Sequence, residues 1–484
     1  MTEIPQPGQG RFAPPDAICR LGATDLASAI RTRQLSVVEV MNAFMDRIAA
    51  VNPHVNAIVS VRDRDDLRKE AEAADALLAR GQASGALFGV PMAIKDLAQT
   101  KGLRTTFGSP LFATHVPDVD DIFVERIRAA GAILIGKTNV PEFGFGSNTY
   151  NPVFGPTLNA YGHGLTAGGS SGGAAVSLAL HMLPVADGSD MGGSLRNPGA
   201  FNNVYGFRPS QGRVPAGPSP ESFVAQMSVE GPMGRSVRDM AVLLTVQAGY
   251  DARAPLSLDG KPDFVAGLKP GIAGLRIAWL GSLGGKLAME AGILDLCETA
   301  LGLMEGAGAA VEPLVPAFDM EALWQAFVTL RHLTSGSALK VFYDDAEKRA
   351  LLKPEAIFEV EGGLDLLAAK IFAASQVRTA WHRYLLSLFE RFDCLAIPTA
   401  QVFPFPVERH WPDAIAGRKM DSYHRWMEVS ALATMAGCPA VNVPVGFGAD
   451  GRPMGMQLIG RPRADQALLN LAAGYEEVTP FGAR

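Results

Sequence analysis

The chain lacks the marks of several protein classes. Its 484 residues hold no Lys/Arg block or basic stripe, and Asp plus Glu (49) outnumber Lys plus Arg (43), for a formal net charge of −6. That balance argues against nucleic acid as the main ligand. No run reaches the roughly 18 apolar residues that a membrane helix requires. The nearest, Ala174 to Val185, is broken by Ser177, His181 and Pro184. The polar start, Met1 to Pro15, shows no basic stretch followed by an apolar one, so no signal peptide is expected. Cysteine is scarce: Cys19, Cys297, Cys394 and Cys438 lie far apart without CxxC spacing. Free buried thiols in a reducing cytoplasm are expected, and neither a disulfide framework nor a zinc site. Internal repeats, low-complexity tracts and obvious linkers are also missing.

What is present suits a soluble enzyme with a large core: 48% of residues are hydrophobic and 19% charged. Thr24-Asp25 can cap a first short helix. Ser36-Val37-Val38-Glu39 fits a capping box ahead of Val38, Met41, Phe44, Met45 and Ile48 at helical spacing. A second helix is expected over 63–80, stopped by Gly81. Beyond it, apolar runs at 91–94, 132–135 and 441–445 read as buried strands, with helices between them at 122–130, 237–248 and 291–305. That alternation indicates an α/β layered fold. Length alone suggests about three domains, but with no repeat or obvious linker a flexible segment over 1–20 and a single domain over 20–484 are expected. Glycine and proline gather between Gly136 and Pro218, which reads as loops around a site. Looser stretches at 255–269 and 403–419 are candidate insertions or a lid.

Two glycine-rich serine clusters dominate that loop region, Gly168-Gly169-Ser170-Ser171-Gly172-Gly173 and Gly188-Ser189-Asp190-Met191-Gly192-Gly193-Ser194. Glycine lets a ligand approach peptide N–H groups, and serine becomes a nucleophile beside a base and an oxyanion site. None of the eight histidines stands in a recognisable catalytic setting, and no GxSxG elbow occurs. His163 reads as a surface loop residue. Lys95 is the other candidate base. It ends the apolar run Gly89 to Ile94, and burial there depresses an amine toward a usable base. A strand-end lysine that snorkels to solvent is the alternative. Asp190 and Arg196 are expected to fix the second cluster by an ion pair, Ser171 and Ser189 to hydrogen-bond within loops, and Lys137 to cap structure. Neither cluster matches GxxxxGK[ST] or GxGxxG, which disfavours a phosphate-binding protein.

Taken in order, Gly89-Val90-Pro91-Met92-Ala93-Ile94-Lys95-Asp96 and the two serine clusters resemble the amidase signature family. Similar segments continue along the chain: 136–143, Tyr205-Gly206-Phe207-Arg208-Pro209, Gly231-Pro232-Met233, Ile397-Pro398-Thr399, 436–444 and 455–460. The resemblance covers about residues 20–475. It implies a single large domain with a central mixed sheet covered by helices on both faces. It implies Ser194 as nucleophile, Ser170 as a relay after a cis peptide bond from Gly169, and Lys95 as base. It implies an oxyanion hole from the N–H groups of Met191, Gly192, Gly193 and Ser194. Gly144, Phe145, Gly146 and Ser147 fall where the family lines its acyl pocket, and Tyr423 and Trp426 are candidate walls. The implied activity is cofactor-free and metal-free hydrolysis of a small, apolar or aryl amide through a seryl acyl-enzyme. Esterase or carbamate-hydrolase (urethanase) side activity needs the same machinery. The expected enzyme is a cytoplasmic monomer or homodimer with a small-molecule substrate and no nucleic-acid or membrane partner. The alternative is the amidase-like subunit of a glutamyl-tRNA amidotransferase, working as a glutaminase. Met420 to Met427 and Asn159-Ala160 depart from that subunit's pattern.

Overall fold

In the computed structural model, which describes residues 5–8 and 11–482, the expected apolar runs are strands. β1 (Ile58–Val59), β2 (Pro91–Lys95) and β3 (Ile133–Thr138) form a small sheet in the order β1-β3-β2, with β2 and β3 parallel. Six strands follow: β4 (Val185–Asp190), β5 (Tyr205–Arg208), β6 (Val229–Gly234), β7 (Arg276–Trp279), β8 (Ala310–Pro313) and β9 (Cys394–Pro398). After them come β10 (Ala414–Ile415), β11 (Arg418–Lys419), β12 (Ala440–Phe447) and β13 (Pro453–Gly460). The main sheet is mixed and has the order β4-β6-β5-β12-β13-β9-β7-β8, while β10 and β11 form a separate hairpin. Central strands β12 and β13 are buried almost throughout, which requires cover on both faces. Helices Arg196–Phe201, Ile293–Gly306 and Asp465–Val478 pack against them.

The small sheet meets the main one at a seam made by a side chain. Both carboxylate oxygens of Asp187 in β4 lie 3.2 Å from the backbone N–H of Lys95 in β2. A carboxylate thus replaces a strand ladder, and the backbone pairing that would make one continuous sheet is interrupted there. Burial pushes the Asp187 carboxyl up to about 6, with the Lys95 N–H opposing that rise.

Local signals set several helix boundaries. The helix Val37–Val55 carries the expected capping box, with Glu39 N–H donating to Ser36 Oγ at 3.1 Å and Ser36 N–H to Glu39 at 2.8 Å. Such a cap contributes about 1 kcal/mol. Asp63 caps the helix Arg64–Ala79, and Gly81 beyond its end has φ +70°. Thr24 and Asp25 do not cap the short helix expected after them. They lie inside Ala23–Arg31, and the Thr24 N–H is satisfied at 3.1 Å by Asp239, 215 residues away. Of the segment expected to be flexible, residues 17–20 form one helical turn capped by Asp16, while residues 1–4, 9 and 10 lie outside the described residues. The Gly/Pro-rich stretch 136–218 is more than loop. It contains helices Gly172–Ala179 and Arg196–Phe201 with strands β4 and β5, all largely buried. The region 403–419 holds the β10–β11 hairpin, and 255–269 forms turns without regular elements.

Candidate active site

Lys95 ends β2 at the seam, and its side chain is interior, at 1% exposure. Its Nζ lies 2.8 Å from Ser170 Oγ, 2.9 Å from Ser189 Oγ and 3.3 Å from the Ser189 carbonyl. Burial pushes the amine below the ordinary lysine range, and the carboxylates of Glu230, Asp187 and Asp190 oppose that shift. The snorkelling alternative is therefore not what the fold adopts. Lys137 is also fully buried, but its Nζ bonds Ala98 O at 2.6 Å and Thr100 Oγ1 at 2.7 Å, as expected of a structural cap.

Ser170 sits just before the helix Gly172–Ala179, and the Gly169–Ser170 peptide bond is cis. Hydroxyls hold the carbonyls of the first cluster: Ser147 Oγ donates to Gly169 O at 2.6 Å, and Thr149 Oγ1 to Gly168 O at 2.7 Å. The two clusters touch directly, since Ser171 N–H donates to Ser194 O at 3.2 Å. The Ser171 hydroxyl itself is buried without a hydrogen-bond partner among the described residues, so only its backbone fulfils the expected role. Ser189 does bond, but to Lys95 and from within β4, not from a loop.

The second cluster is built around Asp190. Its carboxylate lies 2.9 Å from Arg196 Nη2 and 3.0 Å from Arg196 Nε, and both side chains are fully buried. Arg208 joins from β5 at 3.3 Å. Burial opposes ionisation of Asp190, but the two guanidiniums outweigh it and hold the carboxyl well below the usual range. The same carboxylate accepts the N–H groups of Gly193 (3.0 Å) and Leu195 (3.1 Å). This corrects one expectation: the Gly193 N–H is already engaged and is not free for an oxyanion. The N–H groups of Met191, Gly192 and Ser194 have no acceptor among the described residues. Gly193 has φ +93°, and a Cβ there would lie 2.8 Å from Ser430 Cβ, so the turn requires glycine on both counts.

Ser170, Ser189 and Ser194 line one cavity of about 100 Å³. Gly144, Phe145, Ser147, Met191 and Gly192 line it too, together with Leu97, Phe143, Ser228, Arg331, Ser335 and Met427. Gly146 is not among its walls; it faces Glu355 instead. Tyr423 and Trp426 also stand back from the cavity. Trp426 is fully buried in the main core, stacked on Phe201 at 6.4 Å. Tyr423 is buried behind Arg331, whose Nη2 lies 3.0 Å from its hydroxyl. Aromatics three residues apart are here core, which is their ordinary use. Leu97, Phe143, Ser189, Ser228, Arg331, Ser335 and Met427 are the cavity residues that sequence reasoning missed as site residues. A signal existed for Arg331 alone: it is a cation one turn beyond buried Phe327 on the helix Met320–Arg331.

Known proteins resemble this chain along almost its whole length. The profile of the Amidase family matches residues 39–469. An acylamidase from Rhodococcus erythropolis is 34% identical over 471 residues, spanning 95% of this chain and 96% of that protein. A glutamyl-tRNA(Gln) amidotransferase subunit from Roseiflexus sp. (strain RS-1) is 34% identical over 487 residues, spanning 96% of this chain and 98% of that protein. The crystal structure of a bacterial aryl acylamidase of the amidase signature enzymes matches with a TM-score of 0.89 and 31% identity, covering 95% of this chain and 96% of that one. The chain belongs to the amidase signature family, enzymes that act on amide carbon–nitrogen bonds.

Proposed function

We propose that the protein hydrolyses a small apolar or aryl amide, with Ser194 as nucleophile, Ser170 as relay and Lys95 as base. The observation that carries this reading is the setting of the Lys95 amine. It is interior and surrounded by Ser170 Oγ, Ser189 Oγ and Ser189 O, at the edge of the cavity that Ser194 also lines. An ammonium there donates to all three oxygens. A neutral amine donates to the two Ser189 oxygens and keeps its lone pair for the Ser170 hydroxyl. One geometry therefore serves both protonation states, as a base requires.

In the proposed cycle, neutral Lys95 takes the proton of Ser170 as Ser170 takes that of Ser194. Ser194 Oγ bonds to the amide carbon, and the carbonyl electron pair moves to oxygen. The oxyanion rests on the N–H groups of Met191, Gly192 and Ser194. The C–N bond then breaks, and the proton returns through Ser170 to the departing nitrogen, giving the amine and an acyl-Ser194. Water attacks the ester by the same relay, releases the acid and restores Ser194. Similarity to an acylamidase and an aryl acylamidase supports an amide of this kind. Four free buried thiols are consistent with a cytoplasmic location.

Similarity to amidotransferase subunits supports the glutaminase alternative. One assay separates the two. The purified chain, without partner or ATP, is given an acyl anilide, a short aliphatic amide, a carbamate, an aryl ester and glutamine. Anilide hydrolysis well above glutamine turnover is expected. Preferred glutamine turnover overturns the proposal in favour of the amidotransferase reading.

A further inference from the structure

Arg331 is a charged side chain at 5% exposure in the wall of the substrate cavity. Its helix, Met320–Arg331, otherwise buries Leu323, Trp324 and Phe327 on that side. The guanidinium Nε donates to Glu359 Oε1 at 2.6 Å, and Nη2 lies 3.0 Å from the Tyr423 hydroxyl. Among the described residues Nη1 has only the Met191 sulfur, at 3.2 Å. A thioether is a weak acceptor, and a guanidinium carries five N–H groups, so N–H capacity is left over at the cavity. Buried donors without full partners call for an acceptor from outside the protein.

The charge of Arg331 is already balanced. Glu359 is fully buried, and His332 Nδ1 lies 2.9 Å from its second oxygen. Burial opposes its ionisation, but Arg331 beside it holds the carboxyl well below the usual range. A substrate carboxylate placed against this pair would add a buried charge with no counter-ion. A carbonyl or ether oxygen would take the free N–H without that cost. The position along the substrate follows from neighbours. Met191 touches Arg331 through its side chain, while its backbone N–H is one of the proposed oxyanion donors. Phe145, in the loop expected to wall the acyl pocket, lies with its ring centre 5.1 Å from the guanidinium carbon.

We infer that Arg331 is a specificity-determining residue that donates a hydrogen bond to a neutral acceptor oxygen, such as a ketone or ether, on the acyl part of the substrate beyond the scissile carbonyl. The inference rests on the amide-hydrolase reading and deepens it, because it narrows the substrate class to acyl chains that carry a second, uncharged oxygen.

The test uses three p-nitroanilides of equal acyl length, ending in a methyl group, a methyl ketone and a carboxylate. The readout is the ratio of kcat/KM values within each enzyme, which does not depend on how much of a variant is folded. The wild type is expected to favour the ketone over the methyl-ended anilide by about tenfold, and to disfavour the carboxylate. Arg331→Lys, which keeps the charge beside Glu359, is expected to lose most of the ketone preference. The paired change Arg331→Met with Glu359→Gln, which leaves no bare carboxylate, is expected to bring the ketone-to-methyl ratio near one. A wild-type ratio near one, a carboxylate preference, or a ratio unchanged in both variants overturns the inference and leaves the amidase reading standing. Hydrolysis of none of the three anilides overturns the amidase reading, and this inference with it.

Discussion

Lys95 Nζ and Ser189 Oγ lie 2.9 Å apart across the seam between the two sheets. The Ser189 carbonyl is at 3.3 Å from the same nitrogen, so one residue of β4 supplies two of the three acceptors around the amine. This fixes the amine's rotation and leaves its third direction toward Ser170. Removing the Ser189 hydroxyl costs one hydrogen bond of about 1 kcal/mol. Ser189→Ala is therefore expected to lower kcat on an anilide about fivefold, with little change in KM. Ser170→Ala, which interrupts the proposed relay, is expected to lower kcat by far more. Steady-state kinetics of the two variants side by side checks the order.

The pH profile follows from the same amine. Only neutral Lys95 can accept a proton, and burial lowers its affinity for one, so activity is expected to rise with pH through a midpoint below the ordinary lysine value of about 10.4. Glu230 is the carboxylate that most opposes this shift. It stands directly opposite Ser189 in the β4–β6 pair, on the same sheet face. Burial raises its own carboxyl, and Lys95 lowers it. The two groups titrate as a pair. Glu230→Gln removes the anion that favours the ammonium, so the rising limb of kcat/KM is expected to move to lower pH. A limb that stays in place, or moves to higher pH, contradicts the assignment.

Much of this site was legible in the sequence because its signals are local. Lys95 closes an unbroken apolar run, and the serine clusters are contiguous. The Ser36–Glu39 capping box is complete within four residues. What was not legible depends on partners far along the chain. Asp239 caps a helix 215 residues upstream, and Ser189 meets an amine 94 residues away. Arg331 reaches Met191 over 140 residues, which no spacing reveals. Gly193 shows a subtler limit. Its sequence context suits a free oxyanion donor, yet the carboxylate of Asp190, three residues back, already takes its N–H. Tyr423 and Trp426 suit a pocket wall by composition alone. Their spacing is that of core aromatics, and the core is where they lie.

Asp190 is the keystone of the second cluster, and its loss should register as stability. Asp190→Asn leaves Arg196 and Arg208 buried without a full counter-ion, which costs about 3–5 kcal/mol. Because its folded carboxyl is held below the usual range, its contribution is present above the ordinary aspartate value of about 3.9 and lost as pH falls below it. Urea denaturation is expected to show a constant gap between wild type and Asp190→Asn at neutral pH, narrowing in acid. A gap that widens in acid contradicts the sign.

The most direct measurement of the central claim is labelling with a serine-reactive fluorophosphonate, read by intact mass and peptide mapping. The account predicts one adduct, on Ser194, that is absent from Ser194→Ala and forms much more slowly in Lys95→Ala and Ser170→Ala. An adduct on another serine, or labelling of Ser194 at an undiminished rate without the Lys95 amine, would contradict it.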